Sequence, residues 1–401
     1  MKNRLASLDA ARALAVMAVV AVHVSYCFPA LPIPAQTILD MGQYGVQLFF
    51  VISALTVFMT LENDAAHHKK PATVVLRFYV KRFFRIAPFY YCAIAVYALI
   101  DWFVADRLHA TFVVLGAHGI WAVIANVFFV HALAPHAIND VVPGGWSIGI
   151  EMFFYAIAPA LFYWIRSAPK RLIAVASIVA LCVAATVLAA GNQLTKVADD
   201  TYLYFWPGTQ VPCFMVGICL WCRARELLTR GTILSTEKAA LAWLVIVGAL
   251  ALTYETGVGH NTFPLLSPIL AAVAAGGLIA LLSDHRVGRA GIQRVLSIGR
   301  ESYGIYIWHF AIVFASMKFF GGHGIFALKS PTASLILYPA VFAAALALSY
   351  VCALVSDIAI QRPANRLARR ILTAISSTAP VAAGRVTTEL DPASPVVEQV
   401  D

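Results

Sequence analysis

A chain of 401 residues that is 61% hydrophobic and only 12% charged is no ordinary soluble globule, whose residues are roughly a quarter charged. Its mean hydropathy of +0.80 comes from long continuous apolar runs. These exclude a spanning β-barrel, which is built from short alternating segments. The formal charge of +9 fits basic residues held on the cytoplasmic side of a membrane and not a nucleic-acid partner.

The opening run, MKNRLASLDAARALAVMAVVAVHV, resembles a signal peptide at first sight. Its apolar stretch is long, Arg12 interrupts it, and no clean small-x-small site precedes Pro29. It therefore reads as an uncleaved first span. Apolar runs predict ten spans, at about 8–28, 44–61, 88–105, 146–165, 172–190, 207–222, 239–255, 263–282, 302–320 and 332–357. The expected fold class is all-α, a polytopic membrane helical bundle with cytoplasmic N- and C-termini. With that orientation, 24 of the 29 Lys and Arg lie on the inner side, and only Arg107, Lys196 and Lys329 lie outside. This is a strong positive-inside bias. Residues 110–133 are apolar enough for an eleventh span, but inserting it would invert everything downstream and place Arg166, Lys170, Arg171, Arg223 and Arg225 outside. With polar breaks at His118, Asn126 and His131, the segment reads as outer-surface or re-entrant.

The chain divides into a transmembrane domain over 1–370 and a disordered cytoplasmic tail over 371–401, the latter Ser/Thr/Pro-rich and acidic without apolar periodicity. The seven cysteines lie almost entirely in apolar runs. Cys219 and Cys222 form a CxxC with no second ligand pair nearby, so packing is expected in place of a metal or disulfide.

Ionisable groups inside spans are expensive and mark functional sites by default. In the first span, Arg12 and His23 are eleven residues apart, almost three helical turns, so they share one face about 16 Å apart along the axis. Asp9, one turn earlier, can pair with Arg12. An imidazole can act as base, acid or nucleophile near neutral pH. Alternatively, His23 bonds a neighbouring helix and Arg12 snorkels to the interface. Glu151, in GGWSIGIEMFFY, lies about one and a half turns into the fourth span, at a depth matching His23. It could orient that ring, or pair with Arg107. Lys81, Arg82 and Arg85 in FYVKRFFRIAPFYY end the first large cytoplasmic loop. They suit either a phosphorylated cytosolic ligand or anionic lipid. In ESYGIYIWHF, the residues Ser302, Tyr306 and His309 share a face. That stripe lines a wet cavity or bonds between helices.

Taken in order, LDAARALAVMAVVAVH, GVQLFFVISALTVF, KRFFRIAP, WSIGIEMFFY and SYGIYIWH resemble acyltransferase family 3, the membrane acyltransferases that include O-antigen, exopolysaccharide and Nod-factor O-acetylases. The resemblance covers about residues 5–370. It implies an acetyl-CoA-dependent O-acyltransferase of the bacterial inner membrane, moving an acyl group to a carbohydrate hydroxyl at the outer face without a metal. On the matching positions, His23, Glu151 and Arg12 are the implied catalytic group, and Arg82, Arg85 and Lys81 the acyl-CoA site. Trp146, Ser147, Ser302, Tyr306 and His309 are the implied acceptor site. The implied partners are a carbohydrate acceptor, membrane lipid and proteins of glycan assembly. The chain departs from the pattern twice: Ser53-Ala54 replaces Ser-Gly, and Gln361-Arg362-Pro363 lacks the usual Glu before Pro. Some members add an extracytoplasmic esterase-like domain. None is read here, so the membrane domain is expected to complete the transfer. The alternatives are a secondary transporter using the same residues as a proton relay, and an acyltransferase for a small molecule such as a macrolide.

Overall fold

The computed structural model describes residues 2–108, 119–135, 137–168, 170–191, 202–230, 235–258, 265–283, 293–320 and 329–377, and among these there is no strand. The helices are α1 (Lys2–Ser25), α2 (Ile33–Asp40), α3 (Gly45–His67), α4 (Pro71–Leu108), α5 (Ile120–Val127), α6 (Gly145–Ser167), α7 (Arg171–Ala190) and the single turn α8 (Tyr202–Phe205). They continue with α9 (Pro207–Arg230), α10 (Thr236–Thr253), α11 (Ser267–Leu282), α12 (Gln293–Arg300), α13 (Ser302–Phe320), α14 (Pro331–Ser356) and α15 (Arg362–Ser377). Among the described residues, eight segments are long and apolar enough to cross a membrane, and the shorter apolar helices Ser267–Leu282 and Ser302–Met317 occupy the expected eighth and ninth positions. The chain is an all-α, multi-pass membrane protein.

Burial sorts the helices. The apolar stretch of α3 is 78% buried inside the protein, whereas that of α7 is 17% and that of α14 and α15 is 11%. α1 and α3 therefore form the centre, and α7, α10 and α14 present Leu181, Leu188, Leu244 and Ile336 outward, as lipid-facing helices do. Without a hydrophobic drive between helices in lipid, close approach depends on small residues. A side chain on Gly45 would fall 2.4 Å from the Ala15 carbonyl oxygen of α1, and one on Gly299 1.8 Å from that of Asp9. These contacts bring α3 and α12 against the helix that carries Arg12 and His23.

α4 corrects the expected topology. Residues 62–87 are not a loop: α3 runs to His67, and α4 resumes at Pro71 as one 38-residue helix containing Pro88. At 1.5 Å per residue it is about 57 Å long, nearly twice the hydrocarbon thickness. Lys81, Arg82 and Arg85 therefore sit on a helix packed in the bundle. α4 is tied to α13 by Tyr97. Its buried hydroxyl donates to the Ile307 carbonyl at 2.7 Å and accepts from the Ala311 N–H at 3.0 Å. A side-chain oxygen thus stands between two groups that the α13 ladder would otherwise pair.

α5 has only eight residues and is followed by a short turn of 3₁₀ helix, His131–Leu133. The described part of 110–133 thus does not span, and His118 lies outside the described residues. At the C-terminus, α15 reaches Ser377, so residues 371–377 are helical and not tail, while 378–401 lie outside the described residues.

Candidate active site

Two cavities meet inside the bundle, and Val46 and Tyr306 line both. The first is basic. Arg12, Arg82 and Arg85 line it with Ser53, Thr56, Ser147, Glu151, Tyr155, Ser302 and Tyr303. Arg12 projects from α1 and is held by Asp9 at 2.8 Å, the expected i, i+3 pair. Arg82 and Arg85 are one turn apart on α4, so they enter the same space. Arg82 is 6% exposed, and its guanidinium lies 5.1 Å from the Tyr155 ring centroid and 5.8 Å from that of Phe78. Such stacking is favourable once the cation is desolvated. Lys81 points elsewhere. Its ammonium pairs with buried Asp64 at 2.6 Å, beside Arg77, and it lines neither cavity.

Glu151 belongs to this basic pocket and not to His23. Its Oε1 accepts from Ser53 Oγ and from Tyr155 OH, each at 2.5 Å. Tyr155 stands one helical turn from Glu151 on α6 and Ser53 comes from α3. The carboxylate thereby joins two helices on the wall facing the arginines. The expected contact between Glu151 and the imidazole is not made, because the two line different cavities.

The second cavity is aromatic. Its volume is about 570 Å³, within the usual ~300–1,000 Å³ of small-ligand clefts. His23, Tyr26, Gln43, Asn139, Trp146, Tyr204, Phe205, Phe310 and Phe314 line it. His23 is half-buried there. Its Nδ1 lies 2.7 Å from the Val19 carbonyl oxygen. A carbonyl only accepts, so Nδ1 carries the hydrogen and, in the neutral ring, Nε2 keeps its lone pair. His309 supports the same tautomer. Its Nδ1–H donates to the Tyr306 carbonyl at 2.6 Å, which leaves its Nε2 free to accept, 3.3 Å from His23 Nδ1. His309 is fully buried behind His23 and lines neither cavity, so it is placed to hold the ring and not to touch an acceptor.

Tyr306 stands between the cavities. Its hydroxyl donates to the Gly144 carbonyl at 3.0 Å and accepts from Ser147 Oγ at 2.9 Å. Gly144 opens α6 at φ 74°, a left-handed conformation, and a side chain there would lie 2.4 Å from the Phe310 ring. Glycine is required on both counts. Of the expected acceptor residues, Trp146 and Tyr306 reach the aromatic cavity, whereas Ser147 and Ser302 line the basic pocket. Sequence reasoning missed Tyr155, although its i+4 spacing from Glu151 was available. It also missed Gln43, Asn139, Tyr204 and Phe205, which no pattern ties to His23. Among the described residues, no three His, Cys, Asp or Glu side chains gather as metal ligands would.

Comparisons with known proteins give the family. An acyltransferase domain model, that of acyltransferase family 3, matches residues 5–354. The chain belongs to that family. It is 28% identical over 329 residues to BcsY of Komagataeibacter xylinus, named as a candidate membrane-bound transacylase, covering 80% of this chain and 77% of that one. It is 23% identical to the O-acetyltransferase OatA of Staphylococcus aureus, covering 77% of this chain and 50% of OatA. It is 24% identical to the peptidoglycan O-acetyltransferase OatA of Listeria monocytogenes, covering 77% and 49%. The chain thus spans about half the length of the OatA proteins. No solved structure matches. Membership makes the chain a multi-pass membrane acyltransferase. The departure at Ala54 has a structural counterpart. A methyl on Gly217 of α9 would approach the Ala54 methyl to 2.8 Å, so the extra carbon on α3 is accommodated by the absence of one opposite it.

Proposed function

We propose that this protein is an O-acyltransferase of the bacterial inner membrane that carries an acyl group, acetyl foremost, from acyl-CoA to a carbohydrate hydroxyl. Arg12, Arg82 and Arg85 take the donor's phosphates. Guanidinium forks suit phosphate, and the positive-inside bias puts α4's basic segment toward the cytosol. The pantetheine arm then lies along α1, which separates Arg12 from His23 by about 16 Å, and brings the thioester past Tyr306 into the aromatic cavity. The observation that carries this reading is the lone pair on His23 Nε2. Both histidine Nδ1 atoms are committed to carbonyls, so Nε2 is the nitrogen of His23 that keeps a lone pair, and His23 lines the cavity in which two substrates can meet.

The balance is simple. The thioester C–S bond breaks, an ester C–O bond forms, and the hydroxyl proton passes through His23 Nε2 to the departing CoA sulfur. By the direct route, His23 acts as general base and then general acid. By the two-step route, Nε2 first takes the acyl group as the CoA thiolate leaves; the sugar oxygen then displaces it, and the freed Nε2 takes the hydroxyl proton and passes it to the thiolate. In either case, the Val19 carbonyl and the lone pair of His309 stabilise the charge that develops on the ring.

The test is purified protein with [¹⁴C]acetyl-CoA and a carbohydrate acceptor. Wild type consumes thioester and labels the acceptor, whereas His23→Ala and His23→Gln do neither while still inserting in the membrane. Full transfer by either variant would refute the assignment of His23. Movement of a sugar across vesicles with no loss of thioester would favour a transporter instead.

A further inference from the structure

We propose that the aromatic cavity is an acceptor subsite for one uncharged sugar unit, with Gln43 and Asn139 as the residues that select it. This deepens the acyl-transfer reading and rests on it. The Trp146 ring lies 4.6 Å from that of Phe205 and 6.4 Å from that of Tyr204, centroid to centroid. With interplanar angles of 62° to Tyr204 and 34° to Phe205, the Trp146 ring and its neighbours form an apolar recess against which the C–H face of a pyranose packs. Hydroxyls at the ring edge need groups that both donate and accept, and amides do both. Two are available. Asn139 Oδ1 accepts the Gly144 N–H at 2.9 Å, which fixes the amide's orientation and leaves its NH₂ to bind a ligand. Gln43 is half-buried at the cavity wall, and its side-chain amide makes no hydrogen bond to the rest of the described protein. It offers the cavity an oxygen that accepts and an NH₂ that donates.

Charge sets the specificity. The described residues lining the cavity include no Lys, Arg, Asp or Glu; their one titratable imidazole, His23, must be neutral to act. The arginines are on the other side of Tyr306, in the basic pocket. A carboxylate or ammonium on the acceptor would give up its water without gaining a counter-charge from the described lining. A hexose hydroxyl exchanges water for the two amides at little loss. The same amides reject an analogue that leaves them unpaired, since a buried unmatched polar group costs more than the bond itself contributes.

The experiment uses the full chain in nanodiscs with acetyl-CoA. The acceptors are neutral methyl hexosides (glucoside, galactoside, mannoside) and methyl glucuronide. Ester product is followed by mass, thioester loss in parallel, and acceptor binding without donor by calorimetry. The best neutral hexoside should exceed the glucuronide in kcat/KM by at least about 30-fold. Gln43→Ala should raise KM for the hexoside far more than it lowers kcat. Gln43→Lys should bring hexoside and glucuronide within about threefold by raising glucuronide turnover. Equal use of both acceptors by wild type overturns the proposal. So does a Lys variant that loses hexoside turnover without gaining glucuronide. Thioester consumption with neither sugar acylated or bound overturns the subsite alone, whereas no thioester consumption under any condition overturns the parent reading.

Discussion

Replacing Glu151 by Ala removes the acceptor of two hydrogen bonds, one from Ser53 and one from Tyr155, both at 2.5 Å. Bonds to a charged group are worth about 1.5–3 kcal/mol each, and this carboxylate is half-buried, so the lower value applies and about 3 kcal/mol is lost. The structure returns part of it. Ser53 Oγ and Tyr155 OH are 2.9 Å apart, so one hydroxyl can donate to the other once the carboxylate is gone, recovering about 1 kcal/mol. The net cost is about 2 kcal/mol, before any penalty for leaving the arginines without a carboxylate on the facing wall. Glu151→Gln keeps an oxygen that accepts both hydrogens and should cost about 1 kcal/mol. Thermal unfolding in detergent, followed by the aggregation or fluorescence midpoint, checks the order: wild type, then Gln, then Ala. An Ala variant that melts with the wild type would refute the claim that Glu151 ties α6 to α3.

Lys81→Ala, which breaks the pair with Asp64 outside both cavities, should leave the apparent KM for acetyl-CoA within about twofold of wild type in a donor titration, while Arg85→Gln should raise it about tenfold or more through loss of a charged phosphate contact. Tyr97→Phe removes the hydroxyl that bridges Ile307 and Ala311. A loss of about 1–3 kcal/mol is expected in chemical denaturation, with a fall in kcat, because closing of the α13 ladder shifts His309 against His23. Gly144→Ala combines a left-handed backbone with a clash against Phe310. Less than a tenth of wild-type transfer activity should remain in membranes, with the protein still detectable by immunoblot. Gly217→Val forces α9 away from α3, and its yield of monodisperse protein in size-exclusion chromatography should fall well below that of Ala54→Gly, which only removes a methyl.

What the sequence alone determined follows from local rules. Apolar run length located the membrane helices, because every backbone polar group in lipid must be satisfied within its own segment. Helical periodicity was enough to put Arg12 and His23 on one face, and Asp9 within reach of Arg12, since a single helix fixes those relations. The ordered motifs carried the family. Which residues meet across helices was decided only by tertiary structure. Glu151 and His23 sit at matching depth in their spans, and depth says nothing about azimuth. Packing turned Glu151 toward Ser53 and the arginines, and set His309 behind His23 as the actual neighbour of its ring. Lys81 is adjacent to Arg82 in the sequence but points about 100° away around α4, and the partner that claims it, Asp64, lies on another helix. Gln43 lies in a turn of 3₁₀ helix, Met41–Tyr44, within the membrane segment Ile33–His67, and Asn139 lies in the stretch before α6; no helical periodicity ties either to His23. They reach His23's cavity because glycine contacts press α3 against α1 and a left-handed glycine aims the start of α6, and such close approaches are properties of the assembled bundle.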